Sequence, residues 1–371
     1  MKKSLIPWIV LGLAAAVFPV KTRAQEIPPA SDRIQVKVDG SEAEAVFSIL
    51  EAKRTGQAAT ERDWRRLFDT EPYRRLKRRE SSLKRDFTDE EFRSFVLSSP
   101  LAENESELRN ALAAWRTADI AASARRILSY LPPQAHIKAT IYIVIKPKTN
   151  SFVFELLQDP AIFLYLDPKI SGAKFENTVA HELHHVGLAS VAAESERILA
   201  GLPPRIRPAV DWMGSFGEGL AMLAAAGSPD VHPHAASMPD ERERWDLDMA
   251  NIGRDLKTVE AFFLDIIQGR LGGEEPIREK AMAFFGVQGP WYTVGYSMAA
   301  LVEKTEGRAA LIGCMIDPRL LLLRYNEAAA AHNAKGPADR PLWSQELLNA
   351  IFPDKGGRSF AVRPSDRARP F

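Results

Sequence analysis

Cysteine is nearly absent from this chain of 371 residues, since Cys314 is the only one. A single thiol excludes a disulfide framework and any zinc site built on paired cysteines. A charge excess is also lacking, because 49 Lys and Arg oppose 48 Asp and Glu. This balance argues against a dedicated nucleic-acid binder, which is normally strongly basic. The chain has 46% hydrophobic residues and no Gly or Pro repeat, which excludes a disordered or fibrous protein. This composition predicts a globular enzyme or binding protein.

Long apolar runs are scarce, and the one near the N-terminus covers only Leu5 to Val20. It is short for a membrane span, which needs about 20 apolar residues. Lys2 and Lys3 precede the run, and Thr22-Arg23-Ala24 follows it. This order predicts a signal peptide over residues 1–24 and export to the periplasm or the exterior, with an uncleaved N-terminal anchor as the alternative. Cleavage would leave 347 residues with a net charge of −3 and no stable membrane span.

The remaining chain predicts an α+β fold that is mostly helical. Alternating residues predict a strand over 34–38, and helical spacing with a capping box at Thr88–Glu91 fills the stretch to residue 128. Runs of β-branched and aromatic residues predict three further strands, over 141–145, 152–154 and 162–166. From about residue 175 the pattern is helical again. We expect a helical N-terminal region over 25–135 and a second domain over 136–371.

Three of the seven histidines fall in His181-Glu182-Leu183-His184-His185, which contains the pattern HExxH. On a helix, residues four apart share one face, so the imidazoles of His181 and His185 can converge on one ion. Glu182 lies at the edge of that face, where it can take a proton from a water at the metal. The pattern therefore predicts one Zn²⁺ ion with two histidine ligands and a general base.

A catalytic zinc normally has three protein ligands, so the third must come from elsewhere. Val191 stands where the longer HExxHxxGxxH motif has its third histidine. Glu194 and Glu196 would lie roughly 20 Å along the same helix from His181 if that helix continued unbroken. Glu218 is the better candidate, because glycines flank it at the start of an apolar helix and permit close backbone approach. An acid favoured by the helix dipole is the other interpretation of Glu218.

Together, HELHH and the later Glu-Gly-Leu-Ala around Glu218 resemble the gluzincin metallopeptidases. The chain is most similar to a domain-of-unknown-function family thought to consist of zinc-dependent peptidases. That family also has blocks like 289–299, Gly307-Arg308 to Asp317-Pro318, and Tyr325-Asn326. The resemblance implies a zincin-like domain in which Glu218 is the third zinc ligand. The 33-residue spacing from His185 to Glu218 is longer than in thermolysin-like enzymes.

The resemblance also implies a side chain that stabilises the oxyanion, for which Tyr292 and Tyr296 are the candidates. They are four residues apart, so a helix would place them on one face. Core packing is the alternative role for each, and Tyr292 is slightly favoured because it follows Gly289-Pro290. In zincins the strand before the active helix commonly lines the cleft, which would make residues 162–166 the strand that pairs with an extended substrate.

The function that follows is zinc-dependent hydrolysis of peptide bonds, with a peptide or protein as substrate. Two alternatives remain open: a zinc amidase or esterase that acts on other carbonyls, and a non-catalytic binding protein of the cell envelope. The sequence does not indicate the oligomeric state.

Two other histidine features are less informative. His184 lies off the face of His181 and His185, and we expect it to be exposed or to support the ligands. His232-Pro233-His234 lies in a loop rich in Pro and Asp. It is a second possible metal site, but we expect it to be an exposed loop feature.

Overall fold

The computed structural model describes residues 29–353, which divide into two compact units. Unit 1 runs up to Ser129 and includes Pro133–Ser190, whereas unit 2 consists of Tyr130–Pro132 and the chain from Val191 onward. The expected signal peptide over residues 1–24 lies outside the described residues. Within them, no helix combines the length and the apolar character that a membrane crossing would require.

Unit 1 contains eight helices and four strands among its described residues. After a 3₁₀ turn at Ala30–Arg33 come β1 (Ile34–Asp39), α1 (Ser41–Arg54), α2 (Glu61–Phe68), α3 (Glu71–Ser82), α4 (Asp89–Val96), α5 (Ser99–Glu103), α6 (Glu105–Arg116), α7 (Ile120–Leu128), β2 (Ile137–Val144), β3 (Phe152–Phe154), β4 (Ala161–Tyr165) and α8 (Gly172–Ala189). The capping box before α4 is confirmed, because the Thr88 side chain accepts a hydrogen bond from the backbone N–H of Glu91 at 3.1 Å.

The four strands form one mixed sheet in the order β1-β2-β4-β3. β1 and β4 lie parallel to β2 on either side of it, and β3 runs antiparallel to β4. The prediction that residues 162–166 lie free to pair with a substrate is wrong, since β4 is an internal strand. The exposed edge on this side of the sheet belongs to β3.

The boundary between the units differs from the expected division at residues 135 and 136. β1, from the expected N-terminal region, pairs with β2 in the register Ile34↔Ile137 to Asp39↔Tyr142. The α1 helix and the α7 helix also contact the sheet. The N-terminal helices and the strands therefore share unit 1.

Unit 1 buries two ionisable groups beside the carboxyl end of β2. The Glu42 side chain is fully buried, and its Oε2 accepts a hydrogen bond from the Ile145 backbone N–H at 2.8 Å. Burial raises the pKa of Glu42 to about 8, so it holds a proton at neutral pH. Lys146 donates a hydrogen bond to Asn150 Oδ1 at 2.8 Å. Burial lowers the pKa of Lys146 to about 7.

Unit 2 is helical throughout the residues that the structure describes. Its helices are α9 (Ala192–Ala200), α10 (Arg207–Met213), α11 (Gly217–Ala226), α12 (Pro239–Ala250), α13 (Ile252–Ile267), α14 (Glu274–Ala283), α15 (Pro290–Glu306), α16 (Arg308–Ile312), α17 (Arg319–Asn333) and α18 (Gln345–Ile351), with a 3₁₀ turn at Gly214–Phe216. The core of unit 2 forms around α15, which contacts α11, α13, α16 and α17. The described chain is thus predominantly helical with one small sheet, as an α+β fold.

Candidate metal centre

The HExxH residues lie in the middle of α8, a helix that is fixed in unit 1. Ser171 caps its start by accepting a hydrogen bond from the Lys174 N–H at 3.1 Å. Phe175 on the first turn stacks on Trp115 of α6 with ring centroids 4.4 Å apart. The Trp115 indole N–H in turn donates to the Ile170 carbonyl at 2.9 Å, just before the helix begins. These contacts fix the position of α8 within unit 1.

The predicted convergence of His181 and His185 is present. Their Nε2 atoms lie 3.1 Å apart, and the ring planes are inclined at 76°. Both side chains are half-buried. For two nitrogens at 2.0–2.1 Å from one tetrahedral zinc ion, the separation would be about 3.3 Å. The imidazole pair therefore has nearly the spacing that a shared zinc ion requires.

The other two polar residues of the motif differ in burial. Glu182 is half-buried, which leaves its carboxylate accessible to a water. His184 is fully buried, which excludes the exposed alternative and leaves the expectation that it supports the ligands. It lies on the core side of α8 with Leu183, as its offset from His181 and His185 requires.

Glu218 lies in the first turn of α11, and two glycines determine how closely that turn approaches α15. A methyl group on Gly219 would lie 2.0 Å from the backbone nitrogen of Tyr296, and one on Gly295 would lie 2.6 Å from the Phe216 carbonyl oxygen. Any side chain larger than hydrogen would therefore push the two helices apart. Gly217 differs, because a methyl group there would meet nothing within 4 Å. Of the two glycines beside Glu218, only Gly219 is required by close approach.

No pattern in the sequence indicates that Gly295 faces Gly219, because the two are 76 positions apart. The only local signal is a glycine inside an otherwise regular helix, which lowers helix stability and usually has a packing reason.

The three predicted metal ligands form a group of side chains that could hold a metal ion. One ligand atom each of His181, His185 and Glu218 lies within 4.8 Å of the other two. Among the residues that the structure describes, this is the one group of three or more His, Cys, Asp or Glu side chains with that geometry. Two imidazoles and one carboxylate are the donor set of many catalytic zinc sites, in which a fourth position stays open for water. The residues present therefore fit a zinc ion.

Tyr292 and Tyr296 both lie on α15, four residues apart as predicted, but their surroundings differ. Tyr292 is half-buried. Tyr296 is buried, and its hydroxyl donates a long hydrogen bond, 3.5 Å, to the Val231 carbonyl. Burial raises the pKa of Tyr296 to about 12, and the charges of Asp230 and Glu303 add to the shift. Tyr296 thus holds the loop that contains Val231.

His232 and His234 bind protein groups through all four ring nitrogens. His232 Nε2 lies 3.0 Å from Asp246 Oδ1, and its Nδ1 accepts the His234 backbone N–H at 3.0 Å. His234 Nδ1 lies 3.0 Å from Ser237 Oγ, and its Nε2 lies 3.1 Å from Gln288 Nε2. His234 is only 5% exposed, so it is a buried structural residue and not the exposed loop histidine expected.

Comparison with known proteins gives one match to the chain. Neither curated proteins nor solved structures match it. A family model described as "Putative zinc dependent peptidase (DUF5700)" matches residues 64–334, about three quarters of the sequence. The matched range includes the HExxH motif, Glu218 and both tyrosines. The chain therefore belongs to this family, as its resemblance indicated.

Proposed function

We propose that the protein is a metallopeptidase of the gluzincin type, in which His181, His185 and Glu218 bind one Zn²⁺ ion. The observation that carries the proposal is the 3.1 Å separation of the two Nε2 atoms, with a Glu218 carboxylate oxygen in the same group. The family of the chain supports both the metal and the reaction class. The N-terminal pattern of residues 1–24 further supports an exported enzyme.

The bound zinc would supply a Lewis acid that polarises the substrate carbonyl and lowers the pKa of a water to about 7. The protein supplies the proton transfers. We assign Glu182 as the general base, which takes a proton from the attacking water and then passes it to the amine that leaves. The assignment is supported by its position directly after His181 on α8, at the edge of the helix face that carries both histidines.

We assign the oxyanion role to Tyr292. A phenol O–H that donates to the carbonyl oxygen as charge develops there is worth roughly 10²–10³ in kcat, by analogy with other oxyanion donors. Tyr296 is the poorer candidate because its hydroxyl donates to the Val231 carbonyl. Replacement of Tyr292 by Phe should lower kcat, whereas Tyr296→Phe should chiefly lower stability.

The decisive experiment compares Glu182→Gln with the unmodified protein for zinc content and for cleavage of a peptide library. The amide keeps the shape of the side chain but cannot take a proton. We expect bound zinc to be retained and turnover to fall by at least about 10²-fold. Glu107→Gln, at an exposed position on α6, is the matched control and should change neither quantity.

Undiminished peptide cleavage by the Glu182→Gln protein would exclude this mechanism. If the purified protein binds zinc but hydrolyses only small amides or esters, it is a zinc hydrolase of another substrate class. If it binds zinc with four protein ligands and cleaves nothing, it is a binding protein.

A further inference from the structure

Unit 2 exposes a group of large apolar side chains that its core does not use. Val231, Met238, Leu247 and Val287 are 42%, 57%, 67% and 47% exposed. We call these four residues the apolar patch. Among the described residues of unit 2, only Leu342 is another large apolar side chain with comparable exposure.

Each residue of the apolar patch is next in the sequence to a residue of the hydrogen-bonded network around His232 and His234. Val231 precedes His232, Met238 follows Ser237, Leu247 follows Asp246, and Val287 precedes Gln288. The network bonds join the loop 228–238, the α12 helix and the turn before α15. They therefore bring together, within unit 2, the backbone segments that carry the four apolar residues.

The backbone next to Val287 of the apolar patch has a strained conformation that side-chain contacts maintain. Gln288 has a positive φ of 60°, which costs a residue with a side chain about 1–2 kcal/mol. Its amide is nevertheless fixed against His234. The ring of Trp245 lies 5.2 Å from the ring of His234 and 5.3 Å from that of Tyr296, which connects the network to α15. A surface that is already ordered loses little entropy when it binds a partner.

The α12 helix, which begins directly after Met238 and contains Leu247, is negatively charged. The α12 helix contains five acidic residues and two arginines, a net charge of −3: Asp240, Glu241, Glu243, Asp246 and Asp248 against Arg242 and Arg244. Asp240 and Glu243 are exposed. An apolar surface with this border attracts a segment in which Leu-like residues alternate with Lys or Arg, and it repels an anionic one.

We propose that the apolar patch is a docking site for a basic, apolar segment of the protein substrate, in addition to the residues that flank the cleaved bond. The proposal rests on the proposed peptidase function. Val287 of the patch lies directly before Gln288, near the start of α15, and five positions before Tyr292 in the sequence. Docking there would raise the effective concentration of the substrate in the region of unit 2 that provides Tyr292.

The test measures binding of a fluorescent 12-residue peptide of alternating Leu and Arg to the full-length Glu182→Gln protein by fluorescence anisotropy. Because we expect this variant to turn over peptide at least about 10²-fold more slowly, binding is read with little cleavage. We expect the double substitution Met238→Ser/Leu247→Ser to weaken binding at least 10-fold. We expect Asp240→Lys/Glu243→Lys to weaken it by a similar factor at low salt and less at high salt.

Leu157→Ser is the matched control, since Leu157 is 63% exposed but belongs to unit 1. It should leave the affinity unchanged, and a peptide with Glu in place of Arg should bind at least 10-fold more weakly. The proposal would be overturned if the two peptides bound equally well or if no binding were seen. It would also be overturned if Leu157→Ser weakened binding as much as Met238→Ser/Leu247→Ser does. So would a protein that self-associates through the patch, shown by sedimentation in which Met238→Ser/Leu247→Ser converts a dimer to a monomer.

Failure of this proposal can be distinguished from failure of the peptidase function. If docking is wrong but the function is right, the unmodified protein and the Met238→Ser/Leu247→Ser variant cleave the Leu-Arg peptide with the same KM. If the function is wrong, neither cleaves any peptide, and the anisotropy measurement still reports whether the patch binds.

Discussion

Two histidine pairs, one in each unit, show how differently the same residue type can be used. His181 and His185 are four residues apart on a helix, and their Nε2 atoms face each other at 3.1 Å. His232 and His234 are two residues apart in a loop, and all four of their ring nitrogens contact protein atoms. A ring nitrogen bound in this way has no lone pair to offer a metal. The convergence of the nitrogens, not the proximity of histidines in the sequence, makes the first pair the candidate for a metal site.

The largest difference between the pairs should appear in zinc affinity. His181→Ala removes a ligand and should weaken zinc binding by more than about 100-fold, since even partners of metal ligands are worth roughly 10–100-fold. His232→Ala should change the affinity by less than about twofold. Competition with a chromogenic chelator measures both. A large loss of zinc affinity in His232→Ala would show that the second pair also binds metal.

His181 and His185 differ from the second pair in having Glu218 as a proposed third ligand. Substitutions of the glycines on either side of Glu218 test whether its position matters for zinc binding. Gly219→Ala forces α11 away from α15 and should cost about 1–3 kcal/mol of unfolding free energy, as overpacking does. We expect zinc affinity to fall about tenfold as Glu218 shifts. Gly217→Ala, on the other side of Glu218, should change neither quantity. If both variants lose zinc equally, the contact between the helices does not position the ligand.

The second pair should contribute to stability instead. His234→Ala removes a buried ring and leaves Ser237 and Gln288 without their partner. We expect a loss of about 2–3 kcal/mol in unfolding free energy, with zinc affinity unchanged. Denaturant titration measures the first quantity. A stable His234→Ala protein would mean that the network contributes little to the fold.

The smallest effect is expected for Asp246→Asn. The Asp246 side chain is 63% exposed, and pairs at such positions are worth about 0–1 kcal/mol. The same denaturant titration should therefore show a change in unfolding free energy that is close to the error of the measurement. A loss as large as that of His234→Ala would indicate that His232 and Asp246 form part of the essential network.

Local patterns predicted the parts of the site that depend on one helix. The spacing of His181 and His185 was sufficient to predict their convergence, because helix geometry fixes the separation of residues four apart. The strands and the capping box at Thr88 were also found, because each depends on a local pattern of neighbouring residues. Glu218 was selected by its glycines, and one of them, Gly219, makes the close contact that was expected.

The errors concern which elements pack against one another. No local pattern shows that β3 covers one side of β4, or that β1 joins a sheet whose next strand begins about 100 residues later. The burial of His184 and of His234 depends on the packing of other helices around them. The chemical type of these residues was visible in the sequence, but their neighbours were not.

The buried Glu42 and Lys146 link the folding of unit 1 to the uptake and release of protons. Glu42 has a pKa of about 8 when folded and 4.5 ordinarily, so around pH 6 unfolding releases its proton and stability falls as the pH rises. Lys146 has a pKa of about 7 when folded and 10.5 ordinarily, so around pH 9 unfolding takes up a proton and stability rises with pH. Their combined contribution is smallest between pH 7 and 8. Calorimetric unfolding at pH 6 should therefore give an apparent enthalpy that depends on the ionisation enthalpy of the buffer, with the opposite sign at pH 9.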